Sequence, residues 1–322
     1  MSTPTVTVGV DISKAKFDAA RLGADGKYKH KKFDNTLEGF AAFLVWLAAF
    51  GGDRPLVCRE ATGAYSIPLA EHLAAQGWPV SVVNPAKISH YGKSETSRAK
   101  TDKADAKLIA RYAQEKKPRL WTPPPPEIRE LQLLLRRVED LTEMRQMEQN
   151  RLDTADPAVT DSIKAVLASL DQALEATQKR IRQLFDDHPD LKQRRDLLDT
   201  IPGVGEATAA QLLVALSDHY GFANAKQAAA HAGLAPHIRE SGKWKGQTRL
   251  SKTGDPMLRK ALYMPAVVAW QHNPAIRAFC DRLKAAGKNG KAVVCAAMRK
   301  LIHIAFAILK SGKPFDPNFA LA

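Results

Sequence analysis

The sequence predicts an α/β N-terminal domain, a helical coiled-coil middle, and a mostly α C-terminal domain with a helix-hairpin-helix-like turn. Three observations predict it. Short alternating or apolar runs interleave with helical spacings as far as Asn84, and a proline-rich break follows at Pro118 and Pro123 to Pro126. Beyond the break, long charged segments of helical period give way to short helices, glycine turns and clustered basic residues.

The elements follow in order. Thr5 to Asp11 alternates, Phe17 to Leu22 and Tyr28 to Phe33 extend the pattern, and Asp25-Gly26 supplies the turn between the last two. Leu37 to Phe50 has helical spacing, Leu56 to Glu60 is a short strand, Tyr65 to Gln76 a helix and Val80 to Asn84 a strand. Asp102 to Glu115 reads as a helix before the prolines impose a stiff, extended boundary. Ile128 to Asp153 and Ser162 to Phe185, separated by Asp156-Pro157, read as a long antiparallel hairpin. An arm for self-association and a solvated spacer both fit it. Domain boundaries are therefore expected at 1–122, 123–190 and 191–322.

A chain of 322 residues with 45% hydrophobic content can bury a sizeable core, and a net charge of +14 attracts polyanions. Nucleic acid is the expected partner. The apolar runs Phe40 to Phe50 and Ala261 to Trp270 are too short to span a bilayer, so no membrane span is expected. The start of the chain lacks a secretory pattern, and the three cysteines, Cys58, Cys280 and Cys295, lack CxxC spacing. A cytoplasmic, nucleoid-associated protein follows, with its cysteines as buried apolar groups.

Four carboxylates carry the first chemical expectation. Asp11 closes an apolar strand and Glu60 closes another, so both can sit at one sheet edge. Asp102 and Asp105 lie three apart on one helix face. Converging carboxylates need a hard divalent cation, and oxygen ligands suit magnesium or manganese. Singly, other roles serve as well: Asp102 as a helix cap, Asp105 as partner to Lys103 or Lys107, Glu60 as a loop residue. Together, on strand, strand and helix, they resemble the acidic tetrad of the RuvC branch of the ribonuclease H-like fold. A rival reading takes Gly9 to Lys14 as the phosphate loop of a sugar-kinase or actin-like ATPase, without a second glycine-rich motif to complete it.

The C-terminal third carries the second. Ile201-Pro202-Gly203-Val204-Gly205 before a helical run resembles a helix-hairpin-helix turn, in which Gly203 and Gly205 let backbone N–H groups approach a phosphate. A plain helix–helix connection uses the same residues. Between His237 and Tyr263, Arg239, Lys243, Lys245, Arg249, Lys252, Arg259 and Lys260 face only Glu240 and Asp255. Such density suits phosphate clamping, and Trp244 adds a stacking surface. Ser241 sits where a hydroxyl can attack phosphorus among cations, and Ser251 competes for that role.

Six motifs stand in order: Gly9-Val10-Asp11-Ile12-Ser13-Lys14, Glu60 to Tyr65, Lys100 to Ala106, Pro202 to Gly205, Glu240-Ser241-Gly242 and Arg249 to Gly254. The set resembles the DEDD-type insertion-sequence transposases of the insertion sequence one-hundred-ten family, from Val8 to Phe315. The resemblance implies a RuvC-like domain, a coiled-coil linker and a C-terminal transposase domain whose nucleophile, by the Glu-Ser-Gly motif, is Ser241. It also implies a recombinase that acts on donor and target DNA, guided by a structured RNA. Lys243 to Gln247 does not map onto the family pattern. Dimers pairing into a tetramer on DNA are expected. A RuvC-like junction nuclease without a serine intermediate, or a non-enzymatic nucleic-acid binder, are the alternatives.

Overall fold

The computed structural model describes residues 6–23, 25–51, 53–61, 63–94, 102–237, 240–241, 244–246 and 249–317. It divides into two compact units, Met1–Pro123 and Pro124–Ala322.

The first unit is built on a five-stranded sheet. β1 (Thr7–Ile12), β2 (Lys16–Leu22) and β3 (Tyr28–Asp34) form an antiparallel meander, and α1 (Leu37–Ala48) follows, capped by the Thr36 hydroxyl, which accepts from Gly39 N. β4 (Leu56–Glu60), α2 (Ile67–Ala75), β5 (Val80–Val83), α3 (Pro85–Ser94) and α4 (Asp102–Lys116) complete it. The sheet order is β3-β2-β1-β4-β5, with β4 parallel to both β1 and β5. The mixed sheet agrees with the expected α/β class. α3 is an addition to the expected elements.

Alternation along the strands sorts two cores. Val8, Val10, Phe17, Ala19, Phe33 and Val57 face α1 and α2, where Phe40, Phe43 and Leu47 pack on them. Leu56, Cys58 and Val83 face α3 and α4, against Ile88, Tyr91, Ile109 and Tyr112. Gly9 decides how close α4 can come. A Cβ there would lie 2.1 Å from the Ala106 carbonyl oxygen and 2.2 Å from Ala110 N, so only glycine admits the helix. The Thr7 hydroxyl, two residues along the same face, donates to the Ala110 carbonyl at 2.8 Å.

The second unit is helical. α5 (Pro126–Leu152) and α6 (Pro157–Asp187) are antiparallel, since Arg180 pairs with Glu130 while Arg145 bonds Asp171. α7 (Pro189–Asp199), α8 (Glu206–Ala215) and α9 (Ala225–His231) precede four two-residue strands: β6 (Pro236–His237), β7 (Glu240–Ser241), β8 (Trp244–Lys245) and β9 (Arg249–Leu250). α10 (Pro256–His272), α11 (Pro274–Ala285) and α12 (Gly290–Ser311) close the unit. Asp255, Asn273 and Asn289 cap these three, each accepting from backbone N–H groups of the first turn. Ile128, Leu131, Leu135, Leu184 and Phe185 at the base of the hairpin share one core with α7 to α12.

Two expectations change here. α10 and α12 are longer than the short helices expected of this third of the chain. α12 is also long and apolar enough to cross a membrane by length and composition, which the two shorter runs considered earlier are not. Its packing explains the composition: Val293, Val294, Ala297, Met298, Leu301, Ile302, Ala305 and Ile308 are buried in the helical core. A helix contacted on most sides reads as a continuous apolar run.

Candidate functional site

Asp11 continues the face that Thr7 and Gly9 turn towards α4. α4 runs antiparallel to β1, so its first turn, with Asp102 and Asp105, lies at the end where Asp11 stands. The parallel pairing of β1 with β4 runs to Val10↔Arg59, and the residues after that pair are Asp11 and Glu60. Their carboxylates leave neighbouring strand ends on the same side.

Electrostatics report the convergence. Burial pushes the Asp11 carboxyl up to about 6 from 3.8, and the carboxylates of Asp105, Asp102 and Asp18 add to the rise in that order. Yet among the described residues no three His, Cys, Asp or Glu side chains stand close enough to hold a metal ion. The carboxylates repel through space without being drawn to ligation distance. Hard oxygen donors that repel one another at a half-buried position are the kind of donor set a divalent cation neutralises.

Two charged groups escaped sequence reasoning. Asp18 lies directly across from Asp11 on β2 and is buried. His30 Nε2 contacts one of its carboxylate oxygens at 2.7 Å and Lys32 Nζ the other at 3.5 Å. A like charge opposite Asp11 would destabilise the strand pair without these partners. Arg59, on the opposite face of β4 from Glu60, is buried too, and its Nη1 donates to the Glu60 carbonyl at 2.9 Å. Burial lowers its guanidinium to about 10. The available signal was a charge at an inward position of each apolar strand.

In the helical unit, the loop from Ile201 to Gly205 joins α7 to α8, with Val204 N donating to the Ile201 carbonyl. A Cβ on Gly203, whose φ is +99°, would meet Ala269 of α10 at 2.7–2.9 Å. Gly205 faces open space before the first turn of α8. Gly203 thus packs, and Gly205 alone of the two is open to a ligand.

Ser241 lies on β7, paired with Trp244 of β8, while Glu240 pairs with Lys245. β6 pairs with β9 through Pro236↔Leu250 and His237↔Arg249. Arg239 and Lys243 lie outside the described residues. The base of this segment is tied firmly. Ser251 N donates to the Ala235 carbonyl, and Lys252 N, on a residue with φ 53°, donates to Gly233. A Cβ on Gly254 would sit 2.2 Å from the His231 carbonyl oxygen and 2.4 Å from Gly233 N. Arg259 Nη1 donates to the carbonyls of Ala232 and Asp255.

An α/β unit with carboxylates gathered at one sheet end, followed by a helical unit with a basic segment, has a counterpart among known proteins, and its class is DNA transposase. A DEDD transposase model of the IS110 type matches residues 8–155, and one described as transposase of the IS116/IS110/IS902 family matches residues 195–281. The chain is 35% identical to the pilin gene-inverting protein of Moraxella bovis over 313 residues, 96% of this chain and 97% of the relative. It is 30% identical to an uncharacterised insertion element IS110 protein of Streptomyces coelicolor, over 49% of this chain and 38% of that one. Against the transposase for insertion element IS1111A of Coxiella burnetii, identity is 25% over 82% of this chain and 78% of the other. The protein belongs to the IS110 family of transposases and is a DNA recombinase.

Proposed function

We propose that this protein is a site-specific recombinase that cuts and rejoins DNA through a covalent phosphoserine at Ser241. A divalent cation, magnesium or manganese, is held by Asp11, Glu60, Asp102 and Asp105. The observation that carries the reading is the electrostatic cluster at the end of β1, where Asp105 and Asp102 act on a half-buried Asp11. The sheet order, an antiparallel meander continued by two parallel strands, supports a RuvC-like first domain over 1–122. A hairpin domain over 123–190 and a transposase domain over 191–322 complete the organisation.

When bound, the cation neutralises charge on the phosphate and the surrounding carboxylates. The chain's own residues do the rest. Ser241 Oγ loses its proton and attacks phosphorus, the bond to the 3′ oxygen breaks, and that oxygen leaves as a 3′-hydroxyl with a proton. Attack on the phosphoserine by the 3′-hydroxyl of another strand restores a phosphodiester and frees Ser241. Each bond broken is replaced by one of equal kind, so no nucleotide cofactor is consumed. Arg239, Lys243, Lys245, Arg249 and Lys252 stabilise the negative charge on the oxygens around phosphorus, and Gly205 offers backbone N–H groups to a neighbouring phosphate. The full-length likeness to a pilin gene-inverting protein supports exchange at two sites of one molecule, with inversion as its product. A structured guide RNA chooses the sites, two dimers pair into a tetramer on DNA, and the reaction takes place at the nucleoid in the cytoplasm.

The test is Ser241→Ala on end-labelled duplex. Wild-type protein should carry label after denaturation, with the modified peptide containing Ser241, and the variant should neither cleave nor exchange. A variant that still nicks DNA would make water the nucleophile, and label on Ser251 would move the site. Sequencing RNA that copurifies through a high-salt wash tests the guide.

A further inference from the structure

The expected nucleic-acid contacts lie in the helical unit, yet the α/β unit carries a cationic edge of its own. β3 is the edge strand of the sheet and reads Tyr28-Lys-His-Lys-Lys-Phe-Asp34. Alternation sends Lys29 and Lys31 to the α1 side, where they lie over the rings of Phe50 and Phe33. Tyr28, His30 and Lys32 turn to the α4 side, with the acidic cluster. Register aligns them with it: Asp11 is opposite Asp18, and Asp18 is opposite Lys32. Two interstrand steps, about 10 Å, separate Lys32 from Asp11.

Three more lysines border this stretch. Lys16 is on β2, two residues from Asp18 and on the same face, and is exposed. Lys107 of α4 lies over the Tyr28 ring at 5.3 Å, so that side of the helix faces β3. Lys103, one turn nearer the acidic end of α4, is on the same side and exposed. Asp18 gives its shorter contact to His30, and Lys32 keeps about half of its side chain exposed. Asp18 therefore anchors the row without neutralising it.

We propose that Lys16, Lys32, Lys103 and Lys107 form a backbone-binding edge that holds duplex DNA phosphates beside the acidic cluster. The proposal deepens the reading of that cluster as the cleavage site and rests on it for the purpose of the contact. The chemistry is sequence-independent: ammonium groups spaced along one edge, exposed at Lys16, Lys32 and Lys103 and half-exposed at Lys107, neutralise successive phosphates and release counterions, without reading bases. It also gives the α/β unit a means of retaining a polyanion next to carboxylates that would otherwise repel it.

The experiment is a salt titration of duplex binding by the full chain, comparing wild type with Lys16→Gln/Lys103→Gln/Lys107→Gln. Each lost phosphate contact should lower the slope of log affinity against log salt by about 0.9, so the triple variant should lose about 2 to 3 and bind about tenfold or more weakly. The loss should be equal for unrelated duplex sequences. Acetylation footprinting of the wild-type protein should show the four lysines shielded by duplex, which keeps the test independent of how the variant folds. An unchanged slope, unshielded lysines, or a loss confined to single-stranded RNA binding would each overturn the proposal. Because both readouts are of binding, an inactive or misassigned acidic site leaves their result legible.

Discussion

Replacing Asp11 by Asn should stabilise the metal-free protein at neutral pH. In the folded chain the Asp11 carboxyl is pushed up to about 6 from 3.8 by burial and by Asp105, Asp102 and Asp18. The folded state thus holds this proton more tightly than the unfolded state, so stability is favoured below pH 4 and is lost as pH rises through 6. The full difference corresponds to about 3 kcal/mol. Asp11 is only half-buried, and solvent screening reduces the effect to about 1 kcal/mol. For a unit of this size that is about 4 °C in Tm. Calorimetry at pH 7.5 in chelator should show the gain for Asp11→Asn, and the gain should vanish by pH 4. Magnesium should raise the wild-type Tm and leave the variant nearly unmoved. A lower Tm for the variant at pH 7.5, or a gain that persists at pH 4, would refute the claim that repulsion dominates this position.

Three further outcomes follow from packing. Gly9→Ala forces backbone atoms of α4 away from β1 and should cost about 3 kcal/mol, read as a fall in calorimetric Tm; an unchanged Tm would mean the helix does not lie there. Gly254→Ala should cost about 2 kcal/mol in the transition of the helical unit, because the new methyl meets the His231 carbonyl; denaturant titration gives the value, and no change would remove the close contact. Met144 and Met147 are exposed on the hairpin, as are Val159 and Val166, so on the proposed self-association Met144→Gln/Met147→Gln should lower the mass measured by light scattering. An unaltered mass distribution would place self-association elsewhere.

The strands are legible as short apolar runs bounded by turn residues, and β1 and β4, buried on both faces, show as nearly continuous apolar stretches. α5 and α6 show the helical period because one side of each faces solvent. α3 escapes because only Ile88 and Tyr91 of its ten residues are buried, too few to mark a period. α12 differs: its buried residues recur at helical spacing, while Lys291, Arg299, Lys300 and Lys310 between them read as part of the basic C-terminal stretch. Within the acidic site, Asp11, Asp102 and Asp105 are visible as strand-end and helix-face carboxylates. Asp18 is not, since its meaning depends on being opposite Asp11 and on receiving His30 and Lys32 from a third strand. Pairing between strands is a tertiary fact, and no local spacing encodes it.

The tie at Gly233 and Gly254 has a consequence for how this family can vary. The chain leaves the helical body at one point and re-enters at the same point, with Ser241 on the span between. The span is thus mechanically a loop riveted at its root. Its length can change without disturbing the body, because closing a longer loop between fixed ends costs only about 0.6 kcal/mol per doubling. Residues added or removed between His237 and Arg249 would alter how far the serine reaches and leave the helices as they are. Reach and scaffold are therefore separable quantities, and on the proposed role of Ser241 its reach towards DNA can be retuned by changing length alone.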